Sequence, residues 1–432
     1  MKTQREHFGS GTAAVMAMAG SAIGLGNIWR FPYMVGENGG AAFIVVYMLS
    51  MVFISIPIFL CEAVIGRHTQ MGTIGSVEKL GLGRGFKWMA ALTVISPLII
   101  LSYYSVVGGW SVAFLVKGVV SGFGVGAGEY FGSFTSSVWG PLLCHTVFLL
   151  LTAGIVFGGV KSGIERFNKI SLPALFVLII AIATYSITLP GAGEGVRYLL
   201  VPDFSKLEGK TVLSAMGQSF FSLSLGVGTI LTYASYMKKG DSILRTGAGT
   251  AVFDLLFALI AGFAVMPAVF ASGIEPGSGP TLIYETLPHV FAGLSGSLPT
   301  VSRVVSIAFF LAIVVAALTS SVSMLEVGVA YLVEQRGMTR TKAVAVIVLS
   351  TWALGCLCSL SGRIFSACDH LVSNYLMTFG ALLFTFIAGW KMKKSIVQDE
   401  LACGPMFKVV YFMMRFIAPA MIVVIFVTNL II

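Results

Sequence analysis

The chain has 432 residues, of which 57% are hydrophobic and only 10% are charged. Soluble globular proteins carry about 25% charged residues, and disordered chains combine low hydrophobicity with high charge, so this composition excludes both classes. The net charge of +9 matches the basic excess that membrane proteins place on their cytoplasmic side, and we therefore expect a membrane protein with no nucleic-acid partner.

Eleven apolar segments follow one another along the chain, each long enough to cross a bilayer as a helix. They lie at 10–36, 41–66, 89–117, 138–158, 164–189, 211–237, 246–272, 301–333, 340–360, 366–391 and 406–431. Only helices and closed barrels satisfy the backbone in lipid, and barrel strands would alternate in hydrophobicity, whereas these runs are continuous. The sequence therefore predicts an all-α polytopic membrane protein with eleven transmembrane helices, numbered as spans 1 to 11.

The basic residues predict the orientation of these spans. If the N-terminus is cytoplasmic, 19 of the 27 lysines and arginines fall on inner segments and six on outer ones. Because basic residues concentrate in cytoplasmic loops, we predict that residues 1–9 form a cytoplasmic N-terminal segment and that 190–210 form an extracellular loop. We expect a multi-pass protein of the cell membrane, surrounded by the lipid bilayer.

Spans 1 and 6 differ from the others because each carries a G-x-G pair beside polar residues, in AMAGSAIGLGNIWRFPY and GQSFFSLSLGVGTILTY. Glycine costs about 1 kcal/mol in a helix interior, so these spans are predicted to be broken. Close helix packing through small residues is the alternative for a single pair. Two broken spans five positions apart indicate two inverted five-helix repeats, at 10–189 (spans 1–5) and 211–391 (spans 6–10), with 406–431 as span 11.

Charged side chains within the predicted spans are candidates for function, since burying a charge in a membrane is costly. They are Arg30, Glu62, Asp254, Glu326 and Asp369. Asp254 has apolar neighbours on both sides and no basic residue close in sequence, which favours a bound cation. A protonated acid bonded to a backbone carbonyl is the alternative.

Span 8 contains a cluster of hydroxyl residues, Thr319, Ser320, Ser321 and Ser323, within about one and a half helical turns. Hydroxyls in membrane helices usually bond to the carbonyl one turn earlier, which is a structural role. If they face a broken helix, they also offer oxygen ligands to an alkali cation, alongside the carbonyls that the break frees.

The segment GNIWRFPY in span 1, within residues 5–70, and four later motifs resemble the neurotransmitter:sodium symporter family. The later motifs are SYYSVVGGW (102–110), GQSFFSLSLGVG (217–228), YASY (233–236) and LTSS (318–321). The resemblance covers at least the first ten spans in order. Eleven predicted spans instead of twelve and a short loop after span 3 are typical of the bacterial, leucine-transporter-like amino-acid symporters, so we expect a bacterial inner-membrane protein.

The resemblance implies two bound sodium ions, which are co-transported, and no organic cofactor. The first would be held by the Ala22 carbonyl, the side chains of Asn27, Ser222 and Asp254, and the substrate carboxylate. The second would be held by three backbone carbonyls and two hydroxyls, those of Gly20, Ile23, Ala316, Thr319 and Ser320.

The resemblance also implies a substrate pocket at the two breaks, formed by Ala22, Gly24, Leu25, Gly26, Ile100, Tyr104, Phe221, Ser222, Ser224, Val227, Ser320 and Met324. Monoamine-transporting members carry an acid where this chain has Gly24, so we expect a ligand that brings its own carboxylate, an amino acid. The pocket is apolar apart from hydroxyls, which disfavours a charged side chain because it would be buried unpaired. Val227 replaces a larger Phe in several members, which leaves room for a bulky or aromatic side chain.

Asp254 stands where many members have Asn, and Ala258 stands where the leucine-transporting branch keeps a Glu. A fixed negative charge at Asp254 would replace the chloride that animal members need, so the resemblance implies a chloride-independent protein. Two further acids within the spans, Glu62 and Glu326, are expected to bond to the backbone near the breaks.

Two gates follow from the same resemblance. Arg30 and Asp369 would pair on the outer side of the pocket, and Arg5 and Glu334 would pair on the inner side near Tyr236.

These inferences predict a sodium-coupled secondary active symporter that imports a hydrophobic or aromatic L-amino acid by alternating access. A proton-coupled or exchange-type amino-acid permease of the same architecture is the alternative. No histidine pair, nucleophile–base set or metal-ligand spacing in the sequence supports an enzyme.

Overall fold

The computed structural model describes residues 6–123, 129–273, 283–284, 287–288, 291 and 299–431, which form helices and turns without any strand. Nine helices in these ranges are long and apolar enough to cross a membrane, and one bent pair would make a tenth. The bent pair is Gly11–Ala22 with Gly26–Glu37, and the nine are Ala41–Thr69, Arg84–Val120, Trp139–Phe157, Val160–Ile187, Ile243–Ala271, Pro299–Arg336, Arg340–Leu360, Gly362–Lys391 and Gly404–Thr428. The all-α polytopic class is confirmed.

The count of eleven stays a prediction, because the segment predicted as span 6 is not one long helix. It consists of Gly209–Ser222 and Thr229–Ala234, which have 14 and 6 residues and are joined by an irregular stretch. We keep the numbering, with the bent pair as span 1, these two helices as span 6 and the nine long helices as spans 2–5 and 7–11. Shorter helices lie between spans at Thr73–Lys79, Glu129–Ser136, Ala192–Leu200 and Lys394–Leu401.

The distribution of polar residues is inverted relative to a soluble protein. Large apolar side chains such as Leu143, Val177 and Val409 point outward and are 63–68% exposed. Polar side chains near the two breaks, including Asn27 and Asp254, are completely buried. An apolar exterior of this kind is suited to contact with lipid. Polar side chains buried inside a membrane protein are costly, so they indicate the location of a functional site.

Four spans surround the two breaks. The helix Gly11–Ala22 packs against spans 7 and 8, and span 8 packs along span 3. The two halves of span 6 pack against opposite ends of span 2. Side chains from spans 2, 3, 7 and 8 therefore face the backbone that the breaks expose.

Candidate functional site at the two helix breaks

The first break interrupts span 1 within the buried interior. The helix Gly11–Ala22 ends where Ile23 leaves the helical conformation, with ψ at 106°. The chain resumes as a wide helical turn at Gly26–Arg30, followed by the helix Phe31–Glu37, and the two halves are bent by 51°. Amides and carbonyls at such helix ends have no partner within the helix, so they are available to a ligand.

The second break separates the two halves of span 6. Between them, Ser224, Gly226 and Gly228 adopt positive φ angles of 53°, 80° and 71°. Glycine reaches this region without strain, whereas other residues rarely adopt it, which explains why the G-x-G pair stands here. The predicted break in span 6 is confirmed.

Gly226 fixes this break against two neighbouring spans. Its amide donates to the Glu62 carboxylate, with 2.7 Å between N and Oε1. A methyl group on Gly226 would overlap the carbonyl oxygen of Met377, so the backbones of spans 6 and 10 touch. The expectation that Glu62 bonds to backbone near a break is confirmed.

A buried carboxylate lies where spans 1, 2, 6 and 7 meet. Asp254 Oδ1 accepts from Asn27 Nδ2 at 2.7 Å and from Ser222 Oγ at 2.9 Å. Asp254 Oδ2 accepts from Ser222 Oγ at 2.8 Å and from the Tyr47 hydroxyl at 3.3 Å. Asn27 Oδ1 accepts the amide of Gly24 at 3.1 Å. We call Tyr47, Asn27, Ser222 and Asp254 the carboxylate cluster.

Asp254 has no lysine, arginine or histidine within 4.0 Å among the described residues. A completely buried carboxylate is stable only as an ion with a compensating charge or as a protonated acid.

Three of the four residues predicted for the first sodium ion, Asn27, Ser222 and Asp254, lie in direct contact. The fourth, Ala22, ends the first half of span 1 and lines the cavity described below.

A second group of oxygens lies between span 1 and span 8. Thr319 Oγ1 donates to the carbonyls of Ile23 at 2.9 Å and Ala316 at 2.7 Å. Ser320 Oγ donates to the carbonyls of Ser21 at 3.1 Å and Ile23 at 3.4 Å. We call Thr319 and Ser320 with the carbonyls of Ser21, Ile23 and Ala316 the hydroxyl cluster.

Four of the five residues predicted for the second sodium ion belong to the hydroxyl cluster. The fifth, Gly20, lies three residues before Ile23, and a methyl group on it would overlap Asn168 Oδ1 of span 5. Asn168 Oδ1 is buried and has no hydrogen-bond partner among the described residues.

A cavity lies between the two clusters, where the breaks in spans 1 and 6 meet. It is lined by Ala22, Gly24, Gly26, Ile100, Tyr104, Phe221, Ser222, Ser224, Val227, Ser320, Met324 and Met377. Eleven of the twelve residues predicted for the substrate pocket line it, and none of the lining side chains is charged.

Leu25, the twelfth, takes part through its backbone. Its amide donates to the Tyr104 hydroxyl at 3.1 Å, which places a phenol oxygen at the break in span 1. Gly24 lies beside the same hydroxyl, and a methyl group there would overlap Ser320 Oγ and lie 2.9 Å from the Tyr104 oxygen. No side chain fits at position 24 unless Ser320 and Tyr104 move.

On one side, the cavity is bordered by Phe221. The Arg30 guanidinium carbon lies 4.4 Å from the centroid of that ring, a cation–π contact. Asp369 Oδ1 accepts from Ser373 Oγ at 3.0 Å. The described side chains of Arg30 and Asp369 do not form an ion pair within 4.0 Å, so their pairing stays a prediction.

On the other side, the structure shows an ion pair that the sequence did not indicate. Arg340 Nη2 lies 2.6 Å from Glu326 Oε2, and Arg340 Nη1 donates to Glu326 Oε1 at 3.1 Å. The Tyr236 hydroxyl donates to the same Oε1 at 2.7 Å. Glu326 therefore binds an arginine and a tyrosine rather than backbone near the breaks, which corrects the expectation from the sequence.

The predicted inner gate is only partly described. Arg5 lies outside the described residues. Glu334 Oε2 accepts the amide of Gly72 at 2.7 Å, at the start of the helix Thr73–Lys79. Phe8 is fully buried, and its amide donates to the Tyr236 carbonyl at 3.0 Å. The segment before span 1 thus packs beside Tyr236.

Sequence reasoning missed three residues of the site: Tyr47, Met377 and Arg340. Tyr47 and Met377 are ordinary apolar-span residues in the sequence, and no local pattern marks them. Arg340 begins span 9, and the sequence marks it only as a basic residue of an inner loop. Its distance to the fully buried Glu326 is what identifies its role.

Comparison with known proteins agrees with this geometry. The model of the sodium:neurotransmitter symporter family matches residues 5–124 and 136–432. The sodium-dependent transporter YhdH of Bacillus subtilis (strain 168) is 37% identical over 434 residues, covering 95% of each chain. A sodium-dependent transporter of Haemophilus influenzae is 32% identical over 457 residues, covering 99% of this chain and 98% of its own.

The fold is also shared with a solved structure. The crystal structure of MhsT in complex with L-phenylalanine matches with a TM-score of 0.91 and 38% identity, covering 99% of this chain and 100% of that one. Family model, relatives and fold agree over nearly the whole length, so this chain is a multi-pass, sodium-dependent transporter that belongs to the sodium:neurotransmitter symporter family.

Proposed function

We propose that this symporter imports a hydrophobic or aromatic L-amino acid by alternating access and independently of chloride. The observation that carries the proposal is the cavity at the two breaks, which is polar at the breaks and apolar elsewhere. The start of the second half of span 1, at Gly26, offers the partly positive end of a helix to a carboxylate. The Tyr104 hydroxyl lies at the same break and offers a further polar contact.

The rest of the cavity favours an apolar side chain. Ile100, Val227, Met324 and Met377 border it, and its only polar side chains are hydroxyls. A charged substrate side chain would be buried without a partner, at a cost of several kcal/mol. MhsT, which shares the fold, has been crystallised with L-phenylalanine, and this supports a substrate of the same class.

Two sodium ions are proposed as the coupled cations, one at each cluster. The carboxylate cluster would bind an ion together with the substrate carboxylate, so each ligand completes the site of the other and the coupling is reciprocal. The hydroxyl cluster would tie span 1 to span 8, and loss of its ion on the cytoplasmic side would release span 1. One sodium ion crossing 100 mV supplies about 2.3 kcal/mol, and two supply about twice that.

Chloride independence is proposed from Asp254. A negative charge fixed beside the first sodium ion does electrostatically what a bound chloride would do. Ala258, one helical turn further along span 7, is buried and apolar, so Asp254 is the local counter-charge. We place the N-terminus in the cytoplasm, as the distribution of basic residues predicts, and the protein in a bacterial inner membrane, as its resemblance to bacterial family members implies.

Uptake into proteoliposomes tests these proposals together. Purified protein is reconstituted with a panel of labelled L-amino acids, with and without an inward sodium gradient, and with gluconate in place of chloride. We expect Phe, Tyr, Trp or Leu to accumulate only with the sodium gradient, at equal rates in chloride and gluconate.

Each part of the proposal has an outcome that overturns it. Preferred uptake of Lys or Glu contradicts the apolar cavity as the side-chain site. Uptake that is lost in gluconate contradicts the role given to Asp254. Accumulation driven by a proton gradient or by an internal amino acid, without sodium, supports a proton-coupled or exchange-type permease instead.

A further inference from the structure

A second cavity lies on the lipid-facing surface, away from the transport site. It has a volume of about 360 Å³ and lies between the start of span 3, the end of span 10 and span 11. Phe86, Leu382, Phe386, Trp390 and Pro419 are among its lining residues, and the lining is almost entirely apolar. We call it the span 3–10–11 groove.

Two basic side chains beside this groove make cation–π contacts with aromatic residues that line it. Lys391 Nζ lies 5.6 Å from the Phe86 ring and 5.5 Å from the Phe386 ring. The Arg415 guanidinium carbon lies 5.6 Å from the Trp390 ring. Phe386 and Trp390 stack on each other at 5.6 Å, so one aromatic pair connects both cations along the groove wall.

Neither cation has an acidic partner. Among the described residues, no carboxylate lies within 4.0 Å of Lys391 or Arg415, and neither side chain donates a hydrogen bond. The Arg415 Nε is buried and has no hydrogen-bond partner in the described part of the chain. A guanidinium charge without an acidic partner is costly in a membrane-spanning helix, and a negative group close to it offsets that cost.

Arg415 lies near the middle of span 11 by sequence, but it is level with the end of span 10. A methyl group on Gly389 would lie 3.3 Å from the Arg415 Cα, so Arg415 stands level with a residue two positions before the end of span 10. The Tyr411 hydroxyl donates to the Gly389 carbonyl at 3.0 Å and holds spans 10 and 11 together at this level. The ends of spans lie where phosphate groups of the bilayer begin.

The surrounding charge is also positive. Lys394 is exposed and lies 5.6 Å from the Tyr411 ring, beside the same pair of spans. Lys87 is next to Phe86 in sequence, but its charge is compensated by Glu78 at 2.8 Å. Basic pockets between membrane helices bind anionic lipid headgroups, because phosphate supplies the missing acceptors.

We propose that the span 3–10–11 groove is a binding site for an anionic phospholipid, with an acyl chain against Phe86 and Pro419 and the phosphate held by Lys391 and Arg415. Every apolar face of the protein contacts lipid, so the proposal concerns selectivity for a negative headgroup. It does not depend on the substrate or on the coupled ions.

Native mass spectrometry of the full-length protein in a non-ionic detergent tests this site. The protein is titrated with phosphatidylglycerol and with phosphatidylcholine of the same acyl chains. We expect tighter binding of phosphatidylglycerol, and a loss of about fivefold in that preference for Lys391→Gln and for Arg415→Gln, which corresponds to about 1 kcal/mol per basic residue. Phosphatidylcholine binding should be unchanged.

Lys161→Gln is the matched control, because Lys161 is an exposed cation at the start of span 5. Arg415→Lys should retain the preference in part, since it keeps the charge. Inorganic phosphate should not displace the lipid; displacement would identify a free phosphate site and overturn the proposal. Equal binding of both lipids, or an equal effect of Lys391→Gln and Lys161→Gln, would also overturn it. Lys391 is exposed, so its variant decides the matter even if Arg415→Gln fails to fold.

Discussion

The carboxylate cluster and the hydroxyl cluster lie on opposite sides of one break, yet they are built from different chemistry. The carboxylate cluster has an ionisable group, Asp254, that accepts three side-chain donors. The hydroxyl cluster contains only neutral groups, and its hydroxyls donate to carbonyls of spans 1 and 8. Both surround backbone that the interruption of span 1 exposes.

This difference separates two tasks that a coupled transporter must combine. A cluster with a fixed charge responds to the net charge of whatever binds beside it, so it suits a site shared by a cation and a substrate carboxylate. A neutral cluster responds mainly to geometry, because its carbonyls come from two helices and surround an ion only while those helices stay together. We expect loss of the Asp254 charge in the first cluster to change the anion requirement of uptake, and substitutions in the second cluster to change sodium affinity alone.

The largest effect is expected for Asp254→Asn, which removes the charge and keeps the shape. Losing one partner of a buried charge pair costs about 3–5 kcal/mol, so uptake in chloride-free buffer should fall by at least about a hundredfold. Chloride should restore part of it, since an external anion can replace the missing charge. Labelled uptake in chloride and in gluconate measures this, with the exposed Glu194→Gln as control. If Asp254→Asn takes up substrate in gluconate as fast as the wild type does, the Asp254 charge is not required for transport. The proposed difference between the two clusters would then be wrong.

A smaller effect is expected for Thr319→Val, which replaces the hydroxyl with a methyl group of similar size. Hydrogen bonds to charged groups contribute about 1.5–3 kcal/mol, so the apparent sodium affinity should fall about 10- to 100-fold. The loss should be the same in chloride and gluconate. Thr351→Val is the matched control, because Thr351 is also buried and bonds to a carbonyl of its own helix, Ile347. A chloride-dependent loss in Thr319→Val contradicts the assignment of the neutral cluster.

Gly24 lies between the two clusters, and a substitution there changes the size of the cavity rather than its charge. Gly24→Ala places a methyl group against Ser320 and Tyr104, and overpacking of this kind costs about 1–3 kcal/mol. The KM for substrate should rise about 5- to 100-fold. In Gly26→Ala the nearest atom is 3.4 Å away, on the Phe221 ring, so the increase should be smaller. Equal increases in KM for Gly24→Ala and Gly26→Ala would show that the space beside position 24 does not limit substrate binding.

The smallest effect is expected for Tyr47→Phe. Its hydroxyl donates to Asp254 over 3.3 Å, a long hydrogen bond, and two shorter donors remain on the carboxylate. About 1 kcal/mol at most corresponds to a change of less than about fivefold in sodium affinity. Chloride independence should be retained, and sodium titration of uptake in gluconate measures both. A loss as large as that of Asp254→Asn would make Tyr47 an essential member of the carboxylate cluster.

Much of this site is readable from the sequence because the lipid environment makes polar residues rare within spans. The G-x-G pair of span 6 predicts a break at Gly226 and Gly228, and the structure places both at positive φ. The buried Asp254 and the hydroxyls of span 8 indicate the two clusters in the same way. Each of these features is a local pattern of glycine or polar residues. Such residues destabilise a membrane helix, so their presence within a span indicates a special role.

The remaining features depend on contacts between distant segments. Tyr47 meets Asp254 across 207 residues, and no periodicity in span 2 distinguishes it from its apolar neighbours. The pairing of Glu326 with Arg340 depends on how spans 8 and 9 turn toward each other after Arg336. The ends of the helices also differ from those predicted from the sequence. Span 3, for example, begins at Arg84 and not near residue 89.

The backbone contact between Gly226 and span 10 has a consequence for the sequences that this protein can tolerate. Position 226 combines a left-handed backbone with a neighbouring carbonyl that leaves no space for a methyl group. Gly217, in the first half of the same span, has a helical backbone, and a methyl group added there would meet no described atom within 4 Å. A library randomised at both codons and selected for uptake should therefore return only glycine at 226 and a broad mixture at 217.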